Sequence, residues 1–428
     1  MKQWMVALAA MLAAGSAQAG ESGDQLAQSL YDGTLRTLAE GAIAPCQAGE
    51  GDACFVLGLD GIVTAYETLA QGFYRHGAVT PDTPAAAMLL GMGSDTPSAP
   101  ANPVPEPLSY EQFVELLDGF VATLDVAAGH MRQAGEGSAF VIPIDPLRVR
   151  IDLNGDGERD EGETLAILLV GLGEFSEIPT PDAVPQSSKS KSKGVEPIPP
   201  DATVGFDNAD AIWFAGYANV TAAPVDLTLA HDFSDFFAAY MHRIFPEAGL
   251  PMQDYARGGT VMMDPDSDAF VADLIAAIHT AEFPVTDQAR LAGVLERLRS
   301  ITTLSRQHWE MILAETDDDR ELVPSPSQTS LVPGREITQE VVGAWLATLD
   351  QVDLILDGEL LLPHWRFDQG FNLKTYFETA TETDLVMLFT GHDALPYLDD
   401  GPVADAADFA ELNRVMGDDW PFFAIWFN

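Results

Sequence analysis

Phe55-Val56-Leu57-Gly58-Leu59-Asp60-Gly61-Ile62-Val63-Thr64-Ala65-Tyr66-Glu67-Thr68-Leu69 is the stretch whose reading decides the fold class. Its apolar residues recur at spacings of three and four, the period of one helix face. A helix over 55–76 follows, with a second helix over 23–40 folding back on it as a hairpin. Cys46 and Cys54 lie in the turn between them and are the only cysteines in the chain. A disulfide between them would close a short loop, Gln47 to Ala53, and stabilise it by about 2–3 kcal/mol. A zinc or redox centre needs more thiols or a C-x-x-C spacing, and neither is present.

Working outward to the N-terminus, Lys2 precedes the apolar run Met5–Ala14, and Ala17-Gln18-Ala19 forms an A-x-A cleavage site before Gly20. This is the pattern of a secretory signal peptide over 1–19, too short to span a membrane. No later stretch reads as a membrane span. The expected location is therefore the periplasm or the exterior of a bacterial-type cell, a compartment that favours the disulfide. The chain has 428 residues, 47% of them hydrophobic, and a formal net charge of −45. That is ample apolar content for a folded core. The charge repels nucleic acid and anionic lipid and attracts cations, and nucleic acid is excluded as a partner on that ground.

One passage carries a specific chemistry. Asp152-Leu153-Asn154-Gly155-Asp156-Gly157-Glu158-Arg159-Asp160-Glu161-Gly162-Glu163 fits the pattern D-x-[DN]-x-[DN]-G-x5-E at every fixed position. It resembles the twelve-residue calcium loop of the EF-hand family. The resemblance covers about two dozen residues, the loop and the segment leaving it. It implies Ca2+ as cofactor and a ligand set of Asp152, Asn154, Asp156, the carbonyl of Glu158, Asp160 directly or through water, and Glu163 with both oxygens. Gly157 supplies the backbone conformation that lets the chain reverse around the ion. The loop departs from the family at its entrance. Pro143 and Pro146 permit an extended approach or one short helical turn, whereas Glu163–Val170 leaves as a helix-compatible apolar run. No second complete loop is found: Asp264-x-Asp266-x-Asp268 starts alike, but Ala269 and Ile275 stand where the glycine and glutamate belong, and it reads as a helix start.

Elsewhere the pattern is helical with long proline-rich loops. Ser109 with Gln112 forms a capping box opening a helix to about Ala134. Prolines from Pro81 to Pro107 bracket a loop holding at most one short helix at 84–92. Residues 176–203, with the lysine–serine tract 187–193, are linker-like. Helices are expected over 208–220, 226–245, 267–282 and 286–315, and from a Thr338 cap to about Leu356. The runs 360–367 and 384–391 fit either short strands or buried helix, and the aromatic ending 420–427 reads as packed.

The expected architecture is mainly α: an irregular multi-helix globule with long Pro-rich loops, one EF-hand-like calcium loop and at most a few short strands. Its expected divisions are 1–19 (signal), 20–175 (helical lobe with disulfide and calcium loop), 176–203 (linker or loop) and 204–428 (helical lobe with the aromatic C-terminus). The function expected is an exported calcium-binding protein with a structural ion. An alternative is a periplasmic hydrolase-like enzyme using His364, Arg366, His392 and Asp393, which follow apolar runs where functional residues often emerge. A binding or adhesion component is a third. His231 and Asp235 could share an ion. His242 lies on the same helical stripe but about 16 Å from His231 along the axis.

Overall fold

Twelve helices and six short strands make up the described residues of the computed structural model, which are 20–79, 102–159, 163–164, 202–252, 265–331 and 336–416. The mainly α architecture with a few short strands is as the periodicity implies. The signal segment, the helix expected at 84–92, Asp160, nearly all of 165–203 and the aromatic ending 420–427 lie outside those residues.

The long apolar stretch forms α3 (Gly51–Arg75), and the chain before it makes two helices rather than one, α1 (Glu21–Asp32) and α2 (Leu35–Gln47). The break has a local cause. Gly33 takes φ 70°, the left-handed conformation that ends helices, and the Thr34 amide returns to the Ser29 carbonyl at 2.8 Å. Cys46 in the last turn of α2 and Cys54 in the first turn of α3 are joined by a disulfide. Both sulfurs lie in the core beside Phe55, so the bridge fixes the hairpin from inside.

α4 (Tyr110–Glu136) begins at the expected capping box: the Gln112 amide donates to Ser109 Oγ at 3.2 Å and the Ser109 amide to Gln112 Oε1 at 2.9 Å. It packs along α3. Where the two approach, Gly51 meets Gly137, and a methyl group on Gly51 would stand 2.2 Å from the Ser138 carbonyl oxygen. Backbone cannot retreat as a flexible side chain can. Gly51→Ala is therefore expected to destabilise the fold by about 2–3 kcal/mol, the scale of overpacking a tight core, with urea unfolding as the measurement.

α5 (Asn208–Leu229) runs straight through Pro224, where two separate helices were expected, and ends before residue 230. The helix expected to continue to 245 is interrupted because residues 230–232 pair with another segment instead. Asp232 donates to the Pro284 carbonyl at 2.8 Å, and the Thr286 and Asp287 amides donate to the Ala230 carbonyl. Only α6 (Ser234–Tyr240) and a 3-10 turn (Met241–Arg243) follow. α7 (Pro265–His279), α8 (Gln288–Ala314) and α9 (Gln339–Leu356) fall close to their expected bounds, and Thr338 Oγ caps α9. The run after 360 makes isolated bridges. The run after 384 makes α11 (Leu385–Thr390), preceded by α10 (Leu373–Thr379) and followed by α12 (Ala410–Met416).

The strands pair two by two, all antiparallel: β1 (Val141–Ile144) with β2 (Val204–Asp207), β3 (Glu282–Pro284) with β5 (Glu382–Asp384), and β4 (Gly370–Phe371) with β6 (Leu398–Asp399). The β1–β2 pair matters most. It joins the chain on either side of 176–203, and the core around Phe55 draws on both sides, with Phe140, Phe206 and Ile212 buried together. Electrostatics ties the same halves. Asp226 of α5, buried, accepts Arg290 Nε at 2.7 Å and Arg297 Nε at 2.9 Å from α8. The same arginines reach Asp118 and Asp125 on α4.

α3 is the one helix among the described residues long and apolar enough by composition to cross a membrane. It lies between α2 and α4, and its first turns, with Phe55 and Val56 fully buried, belong to the core.

Candidate functional site

The entrance to the loop is extended, as its prolines allow: β1, then a single 3-10 turn at Pro146–Arg148 whose first amide is capped by Asp145. At the exit, Glu163 and Thr164 are extended, with the Ile151 amide donating to the Glu163 carbonyl at 2.9 Å and Arg150 bridged to Thr164, so a small antiparallel pairing closes the neck of the loop. The rest of the expected exit helix, 165–170, lies outside the described residues.

Inside the loop the side-chain oxygens turn inward on the backbone. Asp152 Oδ1 accepts the Gly155 amide at 2.7 Å and its Oδ2 the Gly157 amide at 3.1 Å. Asn154 Oδ1 accepts the Asp156 amide and Asp156 Oδ1 the Glu158 amide, each at 2.8 Å. Gly155 and Gly157 take φ of 76° and 85°, the conformation that a side chain resists and that this reversal requires. Glu163 Oε1 accepts the Leu153 amide at 3.1 Å, which brings the carboxylate of position 12 beside the start of the loop. Asp152 and Glu163 are both only 6% exposed, while Asp156 and Glu158 face solvent. The carboxylate and amide oxygens of Asp152, Asn154, Asp156 and Glu163 are hard donors, of the class that oxygen-ligated cations take.

What holds the loop in place comes from α3, far from it in sequence. Glu67 and Gln71, one turn apart on α3, grip it. Glu67 Oε1 accepts the Asp152 amide at 2.8 Å, and Gln71 Nε2 donates to the Asp152 carbonyl at 2.9 Å. Arg159, at loop position 8, lays its guanidinium on the Glu67 carboxylate through Nε and Nη2, both at 3.0 Å. Its Nη1 reaches the Gly33 carbonyl between α1 and α2. Burial pushes the Glu67 carboxyl above its usual range, opposed by the Asp152 amide and by Arg159. In the sequence, Glu67 is only one of several polar positions on a largely apolar helix.

A second acidic group lies apart from the loop. Asp207 caps α5, Glu315 follows the end of α8, and Glu321 lies in the turn after it. Their ligand oxygens lie within 4.8 Å of one another. Asp210, 3% exposed, sits beside them and accepts the Asp207 amide. Burial, reinforced by mutual repulsion, raises all four carboxyls: Glu315 is pushed up to about 8 and Glu321 to about 7. Such a group is neutralised either by retained protons or by a cation. In the sequence Glu315 is only the last residue of the helix expected over 286–315, and Asp207 joins the group from more than a hundred residues away.

Of the histidines, His231 and Asp235 are not on a common helix, since the chain breaks at 230–233. His231 is buried and hydrogen-bonded on both nitrogens, to the Leu227 carbonyl and Thr383 Oγ, so it has no nitrogen left for an ion. His242 contacts Asp273 at 3.2 Å. His364 and Arg366 pack against Gly391, next to His392 and Asp393, which are paired at 2.5 Å. These four do come together, but on an open turn. The His392 side chain is 71% exposed, Trp365 is 65% exposed, and Arg366 lies over the Trp365 ring. None of His364, Arg366, His392 and Asp393 is among the residues lining the large cavity beside Leu388 and Phe389.

No protein-family model matches the chain, and neither a curated protein nor a solved structure does.

Proposed function

We propose that this chain is an exported calcium-binding protein in which a Ca2+ ion held by Asp152, Asn154, Asp156, Glu158, Asp160 and Glu163 has a structural role. The observation that supports this most is the burial of the loop's two end carboxylates. Asp152 and Glu163 are each only 6% exposed, and each accepts backbone amides of the loop, Asp152 from Gly155 and Gly157 and Glu163 from Leu153; burying a carboxylate costs free energy that a bound cation would offset. The anchoring residues give the ion its structural consequence. Filling the loop fixes the backbone amide and carbonyl of Asp152, which α3 holds, and Arg159, which reaches α1. The disulfide supports an oxidising compartment, and with the signal-like N-terminus it suggests export. Extracellular calcium modules bind at about 10^-4 to 10^-3 M, a range in which millimolar calcium keeps a site filled rather than switching it.

Thermal unfolding tests the reading. Between excess chelator and 10 mM Ca2+, mass action on such a site contributes about 1.5–3 kcal/mol, an upward shift in Tm of about 2–4 °C for a chain of this length. Magnesium, which demands a smaller and stricter octahedron, gives a lesser shift. Glu163→Gln removes the response to calcium. Superimposable melting curves in chelator and in calcium would rule out a structural ion.

A further inference from the structure

A cavity of about 1,040 Å³ opens between α5, α6, α7, α10 and α11, remote in sequence from the calcium loop. It is at the upper end of the size range of small-molecule sites, roughly 300–1,000 Å³. Its wall is apolar and aromatic. Among the described residues lining it, only Thr228, His231, Tyr376 and Thr383 are polar, and none is a lysine, arginine, aspartate or glutamate. Its mouth is built by the sheet. β3 follows α7 and β5 precedes α11, so their antiparallel pairing brings the two helices out side by side, with the Leu385 amide bonded to the Ala281 carbonyl. Leu274 and Ile278 of α7 and Leu385 and Phe389 of α11 line the cavity, yet are 38%, 49%, 53% and 72% exposed. Large apolar side chains at the rim of an apolar hollow are what an apolar ligand passes on entry.

The polar groups define what the hollow can recognise, because their protons can be assigned. His231 Nδ1 lies 2.7 Å from the Leu227 carbonyl, which only accepts, so Nδ1 carries the proton. Burial keeps the imidazole neutral, so Nε2 is an acceptor. Thr383 Oγ, 2.8 Å away, must then donate to Nε2, and Tyr376 Oη, 2.7 Å from Thr383 Oγ, must donate to the threonine. Thr228 Oγ donates to the Pro224 carbonyl at 2.9 Å. Every hydroxyl proton on the wall is therefore committed within the protein. What the described lining residues present toward the cavity is oxygen lone pairs, chiefly on Tyr376, with no spare side-chain donor and no cation among them.

We propose that this cavity binds a neutral lipophile that carries a hydroxyl group, with the ligand's hydroxyl donating to Tyr376 Oη and its hydrocarbon body filling the space out to Leu385 and Phe389. A carboxylate finds neither donor nor positive charge there, and approaches a chain of net charge −45. A ketone or ether meets lone pairs with lone pairs.

Equilibrium binding of dodecan-1-ol, 1-methoxydodecane and dodecanoate to the purified protein tests this. The alcohol is expected to bind about 5–10-fold more tightly than the ether, the ratio one hydrogen bond supplies, and dodecanoate more weakly than either. Tyr376→Phe keeps the ring and removes the acceptor, so it should abolish the preference for alcohol while leaving ether binding unchanged, which also reports that the cavity is intact. Ala277→Trp, which fills the cavity from α7, should remove binding of all three. Equal binding of alcohol and ether by the wild-type protein, tightest binding of dodecanoate, or no binding of any of the three would overturn the proposal.

Discussion

Replacing Glu67 with alanine is expected to destabilise the protein by about 2–3 kcal/mol and to weaken its response to calcium at the same time. The reason is the number of groups one carboxylate satisfies. It accepts the buried Asp152 amide and both nitrogens of the Arg159 fork. Truncation leaves an amide and a guanidinium without their partner. Breaking a buried pair from one side costs about 3–5 kcal/mol, and the lower figure applies here because the Arg159 side chain is 25% exposed. Glu67→Gln should cost less, since its amide oxygen still accepts the Asp152 amide while the charge opposite Arg159 is lost. Urea unfolding of both variants, in chelator and in calcium, gives the two costs. If Glu67 matters only to the helix, its variants will lose stability equally in both conditions. If it holds the loop, they will also lose calcium affinity without any ligand having been altered.

The second large effect is a dependence on pH from the acidic group at Asp207, Asp210, Glu315 and Glu321. All four folded-state pKa values are raised above the unfolded ones, so the folded chain retains protons that the unfolded chain releases. The stabilisation is complete below the unfolded carboxyl range and is lost as pH rises through the folded values, about 7 for Glu321 and about 8 for Glu315. Buried histidines act in the opposite sense. The His308 pKa is pushed down to about 3 by complete burial, and its effect falls below the unfolded value of 6.5. Between pH 6.5 and 8.5 each such histidine contributes a rise of only about 0.4 kcal/mol, so the carboxyls dominate the window. Stability should fall across it by about 1–2 kcal/mol, allowing for solvent screening of the half-exposed members. Glu315→Gln should flatten the fall. Chelator in all samples keeps a cation from neutralising the group instead. A stability that is constant or rises across this window in the wild-type protein would contradict the assignment.

How far these features could be read from residues alone depended on the range of the interactions. The capping box at Ser109–Gln112, the Thr338 cap and the apolar period of 55–69 are contained within a turn or two, and each helix formed where its pattern lies. The disulfide was legible because the chain holds two cysteines and no more. The break at 230–233 was not, because it depends on hydrogen bonds to residues 284–287, more than fifty positions later. The calcium loop could be recognised as a local pattern, but Glu67, Gln71 and Arg159 gain their meaning only when α3 is placed beside it. The same holds for the four polar residues of the apolar cavity, which come from α5, β5 and α10 and the residues that follow α5. The stripe of His231, Asp235 and His242 failed for the complementary reason, since it presupposed a helix that tertiary pairing interrupts.

The claim at the centre of this account is that the turn from Asp152 to Glu163 holds one calcium ion. Flow dialysis of the wild-type protein against Ca2+, with Glu163→Gln measured alongside, tests it most directly. One ion per chain with a Kd of about 10^-4 to 10^-3 M, lost in the variant while its circular dichroism is unchanged, is the expected result. Absence of saturable binding, or equal binding by the wild-type protein and Glu163→Gln, would contradict it.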